Sequence, residues 1–277
     1  MDYQPRTIAL VAELLHPPVG NDPRPIQRLH NELFEAGQPA YAGFQVTPLG
    51  PVLSNPMSLP GAVSQVAFMP DRVQFREERS SLTYETFAER VRAVAQRSAE
   101  LRQVPLFVAQ TVVIRSLVNP RTATDTRAFL RDKMFGIGDA LGVLGHPADL
   151  VGLRLALGPA PRGPQADSAD GDGDAATTAG ASFSLRIESW QEDPRSLFIE
   201  LAGTFGPVPL AFGGPQADPD GSAYGGPAHR GAAAAIEANV LGTYRYLERS
   251  VLPFLARFDR RSEPRPDPRN PEERSDG

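Results

Sequence analysis

Residues 107–120 read FVAQTVVIRSLVNP, and this stretch decides how the whole chain is interpreted. Its β-branched residues predict a strand from Phe107 to Val118, which Asn119-Pro120 ends. The segment Leu14-Leu15-His16-Pro17 closes an earlier predicted strand, from Thr7, in the same way. The shared ending suggests that the chain contains two copies of one structural unit.

The hydrophobic periodicity of the remaining chain supports this division, because both halves give the element order β-α-β-(β)-β-α. Gly37 and Gly136 end the first helix of each half. The predicted elements are a helix from Asp22 to Gly37, extended residues 41–48 and 50–54, a hairpin of 62–69 and 72–78, a helix over 83–100, a helix from Thr124 to Gly136, a strand over 151–157, a hairpin of 183–190 and 197–205, and a long helix over 232–257 that Pro253 should kink.

We therefore predict an α+β fold with two pseudo-repeated lobes, residues 1–102 and 103–258. Short links between consecutive strands favour an antiparallel, curved sheet, and one apolar face per strand favours helices on one side of it. Residues 159–182 and 206–231 are predicted to be flexible insertions, and 259–277 a disordered tail, because these segments carry too little apolar surface to offset the entropy of ordering. At the level of topology, the TATA-binding protein and helix-grip folds are analogous.

Composition excludes several classes of protein. The chain has no cysteine, which rules out disulfides, thiol catalysis and cysteine zinc sites. No apolar run reaches the ~18 residues of a membrane helix, and the N-terminus lacks signal-peptide features, so we expect a cytoplasmic protein with no membrane contact. The net charge of −5 falls entirely in residues 159–182, 213–231 and 259–277. A neutral body makes nucleic-acid binding unlikely on electrostatic grounds.

The face of the sheet opposite the helices is the most informative feature. Alternation places on it four arginines, four glutamates and the only tryptophan of the chain, among neutral polar residues. The predicted binding residues are Arg76, Glu78, Arg115, Arg154, Arg186, Glu188, Trp190 and Glu200. The same alternation adds Thr7, Glu13, Gln45, Thr47, Gln65 and Gln74 to this face.

Four interpretations of this face follow from its chemistry. It could be a solvated surface with weak cross-strand ion pairs. It could bind an unidentified protein partner or a second copy, since tryptophan and arginine anchor interfaces. It could be a saddle for nucleic acid, although the equal number of glutamates argues against this. It could also close into a tunnel in which arginine holds polyphosphate and glutamate holds a metal ion, as in a metal-dependent triphosphate hydrolase.

The sequence matches none of the catalytic or metal-binding motifs that we compared with it, and this argues against an enzyme. Asp170, Asp172 and Asp174 resemble a calcium loop, but the required glycine and glutamate positions hold Ala175 and Ala181. The four histidines are not spaced as metal ligands. The glycine-rich stretch GIGDALG, from residue 136, follows a predicted helix, whereas the glycine motif of a dinucleotide-binding fold follows a strand. We therefore predict a loop there. We expect a non-enzymatic binding or assembly module with no cofactor and no metal.

The chain resembles a functionally uncharacterised group of bacterial proteins. The resemblance lies in the opening strand, an Asp-aromatic strand (Asp71 to Phe75) before an aromatic-rich helix, Arg115 within TVVIRSLVNP, and the long closing helix. It spans most of the chain outside the insertions. It implies a duplicated β-α-β-β-α plan and adds no chemistry.

Overall fold

A nine-stranded antiparallel sheet forms the centre of the protein. The structure is a computed structural model that describes residues 3–37, 40–146, 148–159, 180–210 and 227–259, with the backbone alone for 227–232. The strands of this sheet are β1 (Arg6–Leu15), β2 (Gly43–Thr47), β3 (Gly50–Ser54), β4 (Val63–Phe68), β5 (Arg72–Glu78), β7 (Ala109–Val118), β8 (Gly152–Leu157), β9 (Ser182–Ser189) and β10 (Leu197–Phe205). The short strands β6 (Leu106–Phe107) and β11 (Val208–Pro209) pair separately.

Helices make up the second layer and confirm the predicted α+β class. They are α1 (Arg24–Glu35), α2 (Tyr84–Arg102), α3 (Thr126–Ala128), α4 (Gly138–Gly142), α5 (Pro227–Tyr246) and α6 (Leu252–Ala256), with π-helical segments at Phe129–Met134 and Leu247–Val251. Among the described residues, no helix is both long and apolar enough to cross a membrane.

The strand order is β2-β3-β4-β5-β1-β7-β10-β9-β8, and the pair β1–β7 lies in the middle. Within this sheet, β1 of the first half lies beside β5 of the same half, and β7 of the second half lies beside β10 of the same half. The two predicted lobes therefore contribute to one continuous sheet. That the two halves superpose as copies of one unit remains a prediction.

All three long helices bury their apolar residues against the same face of the sheet. Phe87 and Val91 of α2 and Ile236 of α5 join one core with Leu10 of β1 and Ile114 of β7. On β7, the buried Ile114 lies between the half-buried Val113 and Arg115, as a sheet covered on one side requires.

Gly203 of β10 allows α5 to approach the sheet closely. A Cβ atom at this position would lie 2.7 Å from Thr243 Oγ1 of the helix. Nearby, Phe183 stacks on Tyr246 with 4.1 Å between ring centroids. The opposite face has no such helical cover in the described part of the chain, and this leaves it open for the site described below.

Several predicted boundaries differ from the structure. The stretch GIGDALG is not a loop, because residues 138–142 form the short helix α4. The kink expected at Pro253 takes the form of a π-helical turn, Leu247–Val251, just before it. Such a turn shifts the backbone register ahead of a proline that lacks an N–H to donate.

The predicted insertions and tail differ from the structure at their ends. Ala181 is buried and Ser182 begins β9, while Val208 lies in β11 and is buried. Asp259, the first residue of the predicted tail, is buried and accepts a hydrogen bond from the Tyr3 hydroxyl at 2.7 Å. Residues 227–231 of the second predicted insertion are also ordered, because α5 begins at Pro227. The aspartates of the apparent calcium loop lie outside the described residues.

Candidate functional site

Most of the predicted binding residues form one straight row across the open face. The strand register places Arg154, Arg186, Glu200, Arg115, Ala9 and Glu78 side by side on β8, β9, β10, β7, β1 and β5. Because side chains opposite one another in adjacent strands lie about 5 Å apart, neighbours in this row interact directly. We call these six residues the charged row.

Ion pairs hold two arginines of the charged row in place. Arg115 Nε lies 2.6 Å from Glu200 Oε2 within the charged row. Arg186 donates two hydrogen bonds of 2.8 Å to Glu188, two residues along β9. Side-chain exposure is 39% for Arg115 against 25% for Glu200, and 45% for Arg186 against 15% for Glu188, so in each pair the carboxylate is the more buried partner.

An aromatic stack stands beside the charged row. Trp190, just beyond β9, lies over Phe198 of β10 with 5.5 Å between ring centroids and 19° between planes. The Arg186 guanidinium lies 5.7 Å from the centroid of Phe198. Phe198 is only 7% exposed although none of the described helices covers it, because Trp190, Arg186 and its register neighbour Leu117 surround it. The stack therefore forms a small apolar island on a polar surface.

Together these residues line a groove of about 850 Å³. Four arginines and four glutamates face it, together with the aromatic stack and the hydroxyl-bearing Ser80. Beyond Arg6 and Leu117 the groove continues into a second depression of about 630 Å³, lined by Tyr3, Asn119, Asp193 and Ser196 among others. Because the two depressions share Arg6 and Leu117, together they suit an extended ligand better than a small molecule.

The structure brings six of the eight predicted binding residues into the groove lining: Glu78, Arg115, Arg186, Glu188, Trp190 and Glu200. The other two flank it. Arg76 Nε lies 2.7 Å from Glu78 Oε1, and Arg154 occupies the end of the charged row on the edge strand β8. All eight residues therefore belong to one contiguous surface.

Thr7 was expected on the open face and does not lie there. A β-bulge at Ile8 shifts the register of β1 between Thr7 and Ala9. The Thr7 hydroxyl consequently contacts the Tyr84 hydroxyl on the helix-covered side, where burial raises the pKa of Tyr84.

The same bulge turns Arg6 toward the open face, opposite Leu117, where sequence alternation had not placed it. Arg79, Glu192 and Phe198 also line the groove and were not among the predicted residues. For Phe198 the signal was present, because it alternates with Glu200 along β10. Arg79 and Glu192 follow the ends of strands, where alternation no longer indicates a direction.

The groove lining combines guanidinium groups, carboxylates and one aromatic stack. Guanidinium groups bind carboxylates and stack on planar groups, and the aromatic island can hold one apolar side chain. Within the described residues, no histidine, lysine or aspartate lines this groove, and no cluster of three or more acidic or histidine side chains could hold a metal ion.

No protein-family model matches this chain, and no curated protein shows significant similarity to it. The resemblance to an uncharacterised bacterial group therefore stays a prediction.

Proposed function

We propose that the protein is a non-enzymatic binding module that recognises another protein through the groove on its open sheet face. The observation that carries this proposal is the Trp190–Phe198 stack, held by Arg186 and bordered by arginine–glutamate pairs. Tryptophan and arginine are enriched among the residues that dominate protein interfaces, and polar groups around such anchors set register and exclude water.

The ion pairs favour a protein over nucleic acid as the partner. A phosphate backbone approaching Arg115 or Arg186 would meet the carboxylates of Glu200 and Glu188 at hydrogen-bond distance from those guanidiniums. Repulsion from these carboxylates would cancel much of the electrostatic gain on which phosphate binding depends. A protein surface can present both signs of charge and match the alternation.

The triphosphate-hydrolase alternative receives less support. Its tunnel requires a closed sheet, whereas the described sheet has two edges, β2 and β8. Its decisive test is metal-dependent release of phosphate from triphosphates that the Glu188→Gln variant loses. Absence of that activity leaves the binding proposal as it stands.

Photo-crosslinking in the native host tests the proposal. Replacing Trp190 by the photoreactive residue benzoylphenylalanine keeps an aromatic group in the groove, and we expect covalent capture of a defined protein. The same replacement at Phe34, which is 48% exposed on α1, is the matched control.

The Arg186→Ala variant tests whether capture depends on the arginine that holds the aromatic stack. We expect it to reduce capture through position 190 by about tenfold, equivalent to one interface anchor. Equal capture from positions 190 and 34, or capture that is insensitive to Arg186→Ala, would contradict the proposal.

A further inference from the structure

The outer edge of β8 is the feature that the groove leaves unexplained. Within the described residues, β8 pairs with β9 alone, so its other edge has no strand partner. Ser189 donates its backbone N–H to the Val151 carbonyl at 3.1 Å, which makes these two residues a hydrogen-bonded pair. Because such pairs alternate along antiparallel strands, Gly152, Arg154 and Ala156 direct their own N–H and C=O groups away from β9.

The charge at this edge is unbalanced. Arg154 stands directly opposite Arg186, in a pair of the type that brings side chains closest together. Arg186 is already held by Glu188, whereas Arg154 makes no hydrogen bond or ion pair with the described residues. Like charges in this position destabilise a sheet, and a carboxylate on the outer side of Arg154 would remove the conflict.

We infer that the edge of β8 is a docking site for an acidic, extended segment of the partner protein, which adds to the sheet as a tenth strand. This inference rests on the proposed function and names the chemistry of the partner. The outward N–H and C=O groups of Gly152, Arg154 and Ala156 bond the added backbone. The added side chain opposite Arg154 points to the open face, where a glutamate or aspartate extends the charged row.

The neighbouring side chains on that face leave space for the added strand. Gly152 and Ala156 flank Arg154, so residues two positions before and after the acidic one meet little steric resistance. A second copy of this chain fits poorly at the same edge. Self-pairing of two β8 strands would place the Arg154 side chains of both copies on one face and add to the repulsion between Arg154 and Arg186.

Binding of a designed peptide tests the inference. The probe is a fluorescent peptide of about eight residues in which threonine and glutamate alternate, a length that matches one strand. We expect anisotropy to report binding to the full chain at about 50 mM salt, where charge attraction is not fully screened. A threonine–lysine peptide of equal length should not bind, and N-methylation at every second residue should abolish binding because it blocks the ladder.

Protein variants and hydrogen exchange complete the experiment. Arg154→Glu should weaken binding by about tenfold or more. Arg28→Glu, at a 68% exposed position of α1, is the matched control and should change it by less than about twofold. The amide protons of Gly152, Arg154 and Ala156 should exchange more slowly when the peptide is bound.

Three results of the peptide experiments would overturn the inference: no binding of the acidic peptide, unchanged binding by Arg154→Glu, or no protection of the β8 amides. In the first case Arg154 serves only to keep the edge from aggregating. Binding of a DNA duplex with the same Arg154 dependence, without peptide binding, would also overturn it. Crosslinking through Trp190 is a separate readout, so the groove proposal survives if strand addition alone fails.

Discussion

Two glutamates that follow one another in β5 show how the faces of the sheet differ. Glu77 points to the helix layer, is 1% exposed and lies 2.7 Å from Arg90 of α2. Glu78 points to the open face, has a 21% exposed side chain and lies 2.7 Å from Arg76. The chemistry and the distances are the same. Burial differs, and it decides whether such a pair supports the fold or remains available to a ligand.

The buried pair belongs to a small polar cluster inside the core. Ser64 donates a hydrogen bond to Glu77 Oε1 at 2.9 Å, and Arg90 lies over the ring of Tyr41. Burial raises the pKa of Glu77 above its ordinary value in spite of the attraction of Arg90. The core therefore holds the Glu77 carboxylate in an environment that disfavours its ionised form.

The largest expected effect comes from breaking the buried pair. Arg90→Ala leaves Glu77 in the core without its cation, and we expect a loss of about 3–5 kcal/mol in the free energy of unfolding. Urea denaturation followed by circular dichroism measures it. Arg76→Ala breaks the matching pair on the open face and should remove less than about 1 kcal/mol. Equal losses in the two variants would show that burial does not distinguish the two faces.

A second buried carboxylate sharpens the comparison through its pH dependence. Burial opposes ionisation of Asp259, but hydrogen bonds from Thr122, the Arg121 backbone and Tyr3 outweigh it and lower the pKa. Asp259 and Glu77 are thus both buried, and their pKa values shift in opposite directions. The number of donors that surround each carboxylate accounts for the difference.

The two carboxylates should therefore give opposite pH dependences. As the pH falls, the wild type should lose stability relative to Asp259→Ala. As the pH rises, the wild type should lose stability relative to Glu77→Gln. Asp259 stabilises the fold above its ordinary pKa of about 3.8, and this contribution disappears as the pH falls through the lowered value. Glu77 stabilises the fold best when protonated, and the wild type loses this advantage as the pH rises above about 4.5.

Denaturation of the three proteins between about pH 3 and pH 8 measures both slopes. We expect Asp259→Ala to cost about 2–3 kcal/mol at neutral pH, from the loss of hydrogen bonds to a charged acceptor. Slopes of the same sign for both comparisons would mean that one of the two pKa directions is wrong.

Much of the candidate site could be predicted from alternation alone, for a physical reason. Successive side chains of a strand point to opposite faces, so the apolar residues of β7 and β10 assign Arg115 and Glu200 to the open side without any coordinates. The prediction was wrong for Thr7, because a bulge adds one residue to β1 and turns the side chains before it to the other face.

The order of the strands could not be predicted in the same way. The charged row exists because β1 pairs with β7 and β7 with β10, and these contacts join residues far apart in the sequence. Local periodicity contains no information on such pairing. The sequence therefore indicated which side chains share a face, and only the fold shows that Arg154 stands against Arg186.

The smallest expected effect on stability comes from a substitution on the open face, and it tests whether the residues there were selected for stability. Arg154→Glu replaces a like-charged pair by an opposite-charged one, and we expect the free energy of unfolding to rise by about 0.2–1 kcal/mol. The same substitution should weaken binding of the acidic peptide. A residue that lowers stability and raises affinity is typical of functional surfaces, where the residue present in the folded protein is not the most stable choice.

Thermal unfolding of Arg154→Glu beside Arg154→Ala separates the two contributions. If removal of repulsion is the cause, the alanine variant should lie between wild type and the glutamate variant. A loss of stability in Arg154→Glu would mean that Arg154 stabilises the edge of β8 itself, and the open face would then resemble the helix-covered face more closely than the Glu77–Glu78 comparison indicates.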